Sequence, residues 1–270
     1  MKIKDVAETL ERFAPLPLQE SYDNAGLQIG LTAVDNLTGV LLCLDVTEDV
    51  LREAHERGLN LVVSHHPLLF RGLKRIADED EVQRCVRLAL RLGIGIYSAH
   101  TNLDNAAGGV NWALAEMLGG QNIRALQPQP GAAKADSGSG AVFDLPQPMK
   151  AMEFIETLRT ALQAGRVATN WNEKFRRLTP DYLVRRVAVC GGAGDFLVPD
   201  ALRAGADAFL TGEMHYHQYF GYEGKLLLCV AGHYETECHA IGLLHNILVG
   251  AHPALRIETT RTNTNPIVNY

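Results

Sequence analysis

Short apolar runs alternate with helical segments along the first part of the chain. Residues 39–46, 59–63 and 94–97 are rich in branched apolar side chains, and each run predicts a buried strand. Residues 47–57 predict a helix that Thr47 opens and Gly58 ends, and residues 79–92 carry apolar side chains at helical spacing. Strand, helix and strand in this order predict an α/β fold with a largely parallel sheet.

The composition changes after residue 124, and the same rhythm returns near residue 186. Residues 127–140 are rich in Pro, Gly, Ser and Ala and predict a loop. The remaining predicted elements are strands at 141–145, 187–190, 208–210, 226–230 and 255–260, and helices at 3–13, 110–118, 148–162, 199–204 and 234–248. We therefore expect two α/β lobes, residues 1–124 and 125–270, with largely parallel sheets, which could face each other across a cleft. The C-terminal helix is expected to pack back on the first lobe.

Two adjacent histidines follow one of the predicted strands directly. His65 and His66 come after the run at 59–63, and Pro67 restricts the residue before it to extended geometry. Adjacent side chains of a strand point to opposite faces. The two imidazoles therefore serve one metal ion only if the backbone turns at this point, and otherwise each faces a different ion.

The next predicted strand ends in the same way. His100 and Asp104 follow the run at 94–97. Open α/β sheets place their sites beyond the carboxyl ends of parallel strands, so both groups of polar residues are expected at one edge of the sheet. Imidazole and carboxylate in this pattern favour a metal site over isolated capping or core residues.

A third polar group follows the strand predicted at 226–230. His233 and Glu237 lie four positions apart at the start of a predicted helix, which places both side chains on one helix face. Alone, such a pair is a weak half-site, and a surface hydrogen bond is the simpler interpretation. Glu213 follows the strand predicted at 208–210 and is a candidate for proton transfer, for a supporting hydrogen bond or for ligation.

The candidate ligands are all nitrogen or oxygen donors. They are His65, His66, Asp104, His233 and Glu237. Five side chains enclose two divalent ions only if carboxylates bridge the ions and water fills the remaining positions. Open positions of this kind are typical of a catalytic site, and the absence of cysteine from the set argues against a structural zinc knuckle. Zn, Fe, Mn and Ni all suit such donors.

A glycine-rich turn also lies between predicted elements. Gly191 and its neighbours up to Gly194 follow one predicted strand and precede a helix, so their amides could hold a phosphate. The turn lacks the Lys-Ser/Thr of a P-loop and the spacing of the dinucleotide fingerprint, so a tight strand–helix connection is the preferred interpretation.

Composition narrows the class of protein. The chain has 270 residues, 47% of them hydrophobic, which is enough to fill a real core, and a net charge of −6 without a basic run. Nucleic acid is therefore not an expected partner. No apolar stretch approaches the length of a membrane span, and the five cysteines form no CxxC pair. These features indicate a cytoplasmic protein with reduced thiols.

Five motifs occur in a fixed order: DNAGL at 23–27, SHHP at 64–67, HTNLD at 100–104, TGE at 211–213 and Gly-His-x-x-x-Glu at 232–237. Together they resemble the NIF-three-like family, also labelled GTP cyclohydrolase I type 2 homologues. The resemblance implies that the five candidate ligands hold two metal ions in a cleft between two α/β lobes. It also implies assembly as a toroidal homohexamer. This chain is too short in its middle for the large domain that is inserted in some members.

Two functions of different classes follow. The first is a metal-dependent hydrolase that acts on a small polar or nucleotide substrate, with His100 and Glu213 as the groups that transfer protons. The family label suggests GTP, whereas the residues themselves indicate only a small polar molecule. The second is a non-catalytic metal-binding scaffold or regulator that forms a ring-shaped oligomer.

Overall fold

The computed structural model describes residues 1–30, 36–132 and 134–269. Within these residues the helices are α1 (Ile3–Phe13), α2 (Glu48–Glu56), α3 (Glu81–Leu92), α4 (Thr101–Asp104), α5 (Val110–Met117), α6 (Ala151–Ala161), α7 (Glu173–Leu178), α8 (Val198–Arg203), α9 (His233–Glu237) and α10 (Ala240–Ala251). The strands are β1 (Gly26–Ile29), β2 (Val40–Cys43), β3 (Leu61–Ser64), β4 (Gly95–Ser98), β5 (Gln121–Pro128), β6 (Gly138–Lys150), β7 (Ala168–Thr169), β8 (Leu183–Cys190), β9 (Ala208–Thr211), β10 (Leu227–Val230) and β11 (Ile257–Thr259).

The chain forms two compact units, each with its own sheet. The first unit comprises Met1–Leu103 and Ala240–Pro266, and the second comprises Asp104–His239 and the described residues after Pro266. The expected lobes divided the chain at residue 124. The units divide it earlier because helix α5 packs on β5, β6 and β8, where its Leu114 shares a buried core with Phe143. Helix α10 belongs to the first unit, where it packs on α1, β2 and β11.

The first sheet has the strand order β1-β4-β3-β2-β11. Strands β4, β3, β2 and β11 are parallel, and β1 runs antiparallel to β4. Every residue of β2, β3 and β4 is buried, which explains why these strands are continuous apolar runs rather than alternating ones. Since β3 lies in the middle of the sheet, the residues that follow Ser64 emerge at the centre of its carboxyl edge.

The second sheet has the order β5-β6-β8-β9-β10-β7. Its central strands β8, β9 and β10 are parallel, whereas β5, β6 and β7 pair antiparallel with their neighbours. The prediction of two α/β lobes is therefore confirmed, with parallel strands at the centre of each sheet. None of the helices in the described part of the chain combines the length and the apolarity that a membrane crossing requires.

The predicted helix starts in the first unit are set by side-chain caps. Thr47 accepts a hydrogen bond from the Val50 amide at 3.3 Å, and Asp80 accepts one from the Gln83 amide at 2.8 Å. These caps fix where α2 and α3 begin. The two helices pack against each other beside the strands whose ends carry the histidines.

Three predictions differ from the structure in the second half of the chain. The loop predicted at 127–140 is partly a hairpin, since β5 continues to Pro128 and β6 begins at Gly138. The helix predicted from residue 148 begins only at Ala151, because a register irregularity in β6 keeps Pro148 in the strand. The single helix predicted at 234–248 is divided into α9 and α10, which belong to different units.

Candidate metal centre

The histidine pair lies where β3 leaves the sheet. The amides of His65 and His66 donate to the carbonyls of Cys43 and Leu44 at 3.2 and 2.9 Å, so the pairing with the β2 side continues through both residues. Their ring centroids are nevertheless only 5.0 Å apart. The backbone therefore turns enough at the strand end to bring both imidazoles into one cluster. Donor atoms this close can serve one ion or two adjacent ions.

Each imidazole of the pair is oriented through its Nδ1 atom. His65 is fully buried, and its Nδ1 donates to the carbonyl oxygen of Ala99 at 2.8 Å. His66 Nδ1 donates to Asp45 Oδ1 at 2.7 Å, and the second oxygen of Asp45 accepts from Thr264 Oγ1 at 2.6 Å. An Nδ1–H that donates to oxygen leaves Nε2 as the metal-binding nitrogen. Histidine ligands in metalloproteins are held in this way.

His100 completes a cluster of three imidazoles. Its ring centroid lies 5.3 Å from that of His65 and 5.5 Å from that of His66, and candidate ligand atoms of the three side chains lie within 4.8 Å of one another. His100 Nδ1 donates to Asp23 Oδ1 at 2.7 Å. The sequence assigned His100 to proton transfer, whereas its position in the cluster makes it equally suited to bind an ion.

Asp23 holds the start of α4 together with the ring of His100. Its Oδ2 accepts hydrogen bonds from the Thr101 amide at 3.1 Å and from the Thr101 hydroxyl. Burial alone would raise the pKa of this carboxyl, but the hydrogen bond and charge of His100 and the Thr101 hydroxyl outweigh that effect and lower the pKa to about 2. The carboxylate is therefore ionised at neutral pH and favours donation from His100.

The chemistry of this donor set fits a divalent metal. Three imidazoles converge, and each Nδ1 donates to a carbonyl or a carboxylate. First-row divalent ions bind imidazole nitrogen well, and ligands whose second nitrogen is anchored are pre-oriented. The first unit thus carries a candidate metal-binding cluster made of His65, His66 and His100.

The second unit carries the other predicted ligands. Asp104 ends helix α4 and is half-buried, and its carbonyl accepts from Asn111 Nδ2 at 3.3 Å. His233 and Glu237 lie on one face of α9, with Nε2 of the histidine 2.9 Å from Oε2 of the carboxylate. His233 Nδ1 lies 2.9 Å from Glu213 Oε1. The imidazole of His233 and the carboxylates of Glu213 and Glu237 therefore lie together in this unit.

Glycine-rich turns pack tightly around this pair. A Cβ on Gly192, whose φ is +58°, would lie 2.3 Å from Glu237 Oε1 and 3.2 Å from His233 Cε1. The Gly192 carbonyl accepts from the amides of Gly212 and Glu213 at 2.8 and 3.0 Å. The turn at 191–194 is thus a tight connection that supports the histidine–carboxylate pair, as the preferred interpretation of the sequence predicted.

The motifs of both units fall in one order along the chain. A family model described as Duf34/NIF3 (NGG1p interacting factor 3) matches residues 1–266. The chain belongs to this family. The resemblance expected from the sequence motifs is therefore confirmed.

Two relatives are similar to this Duf34/NIF3 chain over most of its length. A GTP cyclohydrolase 1 type 2 homolog of Clostridium perfringens is 34% identical over 240 residues, which cover 88% of this chain and 87% of the relative. The NIF3-like protein 1 of Drosophila melanogaster is 34% identical over 218 residues, covering 80% and 71% of the two chains.

Solved structures of two relatives share the α/β fold. The crystal structure of Staphylococcus aureus hypothetical protein SA1388 aligns with a TM-score of 0.88 and 26% identity, covering 100% of this chain and 99% of that one. Reduced HcgD from Methanocaldococcus jannaschii aligns with a TM-score of 0.77 and 26% identity, covering 97% and 98%.

Sequence reasoning missed the residues that orient the ligands. Asp45 lies inside the apolar run at 39–46, and Asp23 opens the DNAGL motif, whose residues predict a turn that leads into a strand. The sequence did carry a signal for Asp45, because this acid follows closely after β2, the strand that pairs with β3. His215 and His217, which follow Glu213 in the same segment, are exposed.

Proposed function

We propose that this Duf34/NIF3 chain is a metal-dependent hydrolase-like protein with a dinuclear centre. Its ligands would be His65, His66, Asp104, His233 and Glu237, and its ions would be two of Zn, Fe, Mn or Ni. The observation that carries the proposal is the cluster of three imidazoles, each anchored through Nδ1. Such anchoring is a feature of metal ligands. Two of these imidazoles, His65 and His66, belong to the proposed ligand set, and the third, His100, is proposed to transfer protons.

Bound divalent ions would lower the pKa of a water molecule and polarise a carbon or phosphorus centre of the substrate. The chain itself supplies orientation and proton transfer. Asp45 holds the ring of His66, and Asp23 holds that of His100. Glu213 is exposed and lies against His233, so it can accept a proton from solvent-accessible substrate.

The substrate class proposed is a small polar molecule or a nucleotide. The name GTP cyclohydrolase 1 type 2 homolog, carried by relatives, suggests a guanine nucleotide as the first compound to test. An open depression of about 320 Å³ lined by Glu213, Asp195 and His215 in the second unit supports access of a polar ligand to Glu213.

The test is metal analysis of protein purified without added metal, followed by an activity screen over nucleotides and phosphoesters. The double variant His65→Ala/Glu237→Ala should lose the metal and keep the fold. Asp104→Asn should abolish turnover while the oligomer stays intact. Full metal retention in the double variant would overturn the ligand assignment. Rates that only match free metal in buffer would overturn the hydrolase.

A second candidate is a metal-binding scaffold that forms a ring-shaped homohexamer. Its specific support is the exposure of large aromatic side chains in the second unit, with Tyr216 and Phe220 at 73% and 57%. In that case no substrate is turned over, and Asp104→Asn changes assembly or partner binding instead. Either function suits a cytoplasmic protein, since the five cysteines are free thiols.

A further inference from the structure

The loop between β3 and α3 carries an exposed aromatic side chain next to the histidine cluster. We refer to residues 67–76 as the aromatic loop. Phe70 is 43% exposed, and its ring centroid lies 6.3 Å from that of Tyr22, which is 61% exposed. The two rings meet edge to face at 63°. They form an aromatic surface in the first unit that faces solvent.

The backbone holds this surface in place. Both backbone groups of Leu69 are fixed, because its carbonyl accepts from Asn24 Nδ2 at 2.7 Å and its amide donates to Gln28 Oε1 at 3.1 Å. Gln28 in turn donates to the Asn24 carbonyl at 2.6 Å. Phe70, the next residue, is therefore presented outward by three hydrogen bonds. A pre-oriented exposed aromatic ring loses little entropy when a ligand binds it.

The aromatic surface continues to the candidate metal ligands. Phe70 meets His100 edge to face with centroids 6.1 Å apart, and His100 lies 5.5 Å from His66. A flat ring placed on Phe70 would therefore lie close to an imidazole of the cluster. This position is suited to hold a substrate while another part of it reaches the metal.

The same loop carries positive charge that no acidic side chain of the described residues pairs with. Arg71 and Lys74 are exposed, and neither forms an ion pair with another residue of the described ranges. Arg75, in contrast, pairs with Glu79 at 3.4 Å. Arginine and lysine are the side chains that bind phosphate, and here they follow Phe70 within four residues in a chain of net charge −6.

We propose that the aromatic loop binds an anionic aromatic substrate of the nucleoside phosphate class. Its ring would stack on Phe70 and contact Tyr22, and its phosphate would contact Arg71 and Lys74. The inference deepens the proposed function, because it assigns the substrate class of the same centre. Aromatic side chains commonly stack on a nucleobase while nearby cations bind its phosphate, and this mode of binding tolerates any base.

The test is calorimetric titration with three probes that separate the two halves of the ligand. AMP carries the ring and the phosphate, adenosine carries only the ring, and ribose 5-phosphate carries only the phosphate. Phe70→Leu should weaken the binding of AMP and adenosine by about fivefold to 150-fold, the range that base stacking contributes, and leave the binding of ribose 5-phosphate unchanged. Arg71→Gln/Lys74→Gln should weaken AMP and ribose 5-phosphate and reduce the salt dependence of AMP binding.

Matched controls are Phe220→Leu, an exposed aromatic ring outside the loop, and Arg75→Gln, a cation of the same loop that is already paired. Neither should change the affinity for AMP. The proposal is overturned if Phe70→Leu behaves as Phe220→Leu does, or if AMP does not bind at all. It is equally overturned if Phe70→Leu lowers the mass of the oligomer in light scattering, since the surface then belongs to a contact between copies.

Metal content is measured on the same samples. Retained metal with no change in AMP affinity on Phe70→Leu overturns the aromatic loop alone and leaves the metal centre intact. Loss of metal in every preparation, with AMP affinity still dependent on Phe70, contradicts the hydrolase and supports the aromatic loop as a binding site. The two proposals can thus fail separately.

Discussion

Removing the charge of Asp45 should weaken metal binding without unfolding the protein. Asp45 Oδ1 accepts the Nδ1 proton of His66 at 2.7 Å, a short charge-assisted hydrogen bond. Asp45→Asn keeps the size of the side chain and one acceptor oxygen but removes the negative charge. The ring of His66 then loses both part of its orientation and part of its basicity.

The size of the effect follows from the surroundings of the pair. A hydrogen bond to a charged group contributes about 1.5–3 kcal/mol net, and this pair is only partly screened, with 22% of His66 and 35% of Asp45 exposed. The asparagine retains a neutral hydrogen bond, so we expect the lower part of that range, about 1.5 kcal/mol. That free energy corresponds to roughly a tenfold weaker metal affinity, at the low end of the effects of outer-shell partners.

The assay is competition for Zn²⁺ or Mn²⁺ against a chromophoric chelator at fixed pH. Asp49→Asn is the matched control, because the same chemical change is made on an exposed carboxylate at the start of α2. The control should bind metal as the parent chain does. An Asp45→Asn protein with unchanged affinity would refute the view that the anchored imidazoles are metal ligands.

Three further predictions concern stability and assembly. Burial would raise the pKa of Glu53, but hydrogen bonds from Thr260, Arg261 and other groups lower it to about 2. The stabilisation of the fold by this carboxylate should therefore be complete above about pH 4.5 and be lost as the pH falls towards 2. In urea titrations, the free energy of unfolding of Glu53→Gln should decline less over that pH range than that of the parent chain. Gly192→Ala should lower the metal content and the melting temperature, because the added Cβ would lie 2.3 Å from Glu237 Oε1. A normal metal content in this variant would contradict the prediction. The protein should elute as a closed oligomer much larger than 29.5 kDa, and light scattering that shows a monomer at micromolar concentration would refute the ring.

Local patterns were sufficient wherever an element is defined by its own residues. Helix α1 spans Ile3–Phe13, as its apolar spacing before Pro15 predicts. The buried strands of the first sheet were found because both faces are covered, which makes each a continuous apolar run. Strand β6 was underestimated because its second half follows a register irregularity and contains prolines.

Contacts between distant segments were not predictable in the same way. The spacing of apolar residues in α5 predicts a helix. No feature of its own residues predicts that the helix packs on β5 and β6 rather than on the strands before it. The predicted boundary at residue 124 followed composition, whereas the compact units follow burial. Composition changes at a loop, and a loop need not be the place where two cores separate.

The candidate site shows the same limit. The strand-end rule identified His65, His66 and His100, because the ends of parallel strands are recognisable from the runs before them. Their acceptors are separated from them by long stretches of chain. Asp45 is 21 residues from His66, and Asp23 is 77 residues from His100. Only the pairing of neighbouring strands brings these carboxylates to the imidazoles.

The position of β1 explains why one short segment reaches two parts of the first unit. Strand β1 runs antiparallel to β4 and pairs Gly26 with Ser98, so the residues before β1 lie beside the residues after β4. Asp23 consequently meets His100, and Asn24 meets the backbone of Leu69. Adjacent residues thus act on different targets, one on a candidate ligand and the other on the aromatic loop. The Asn24 amide also donates to Asp23 Oδ1 at 2.7 Å, so only the side-chain hydrogen bond of Asn24 is separate from Asp23. We therefore expect a side-chain substitution at Asn24 to change ring binding without changing metal affinity.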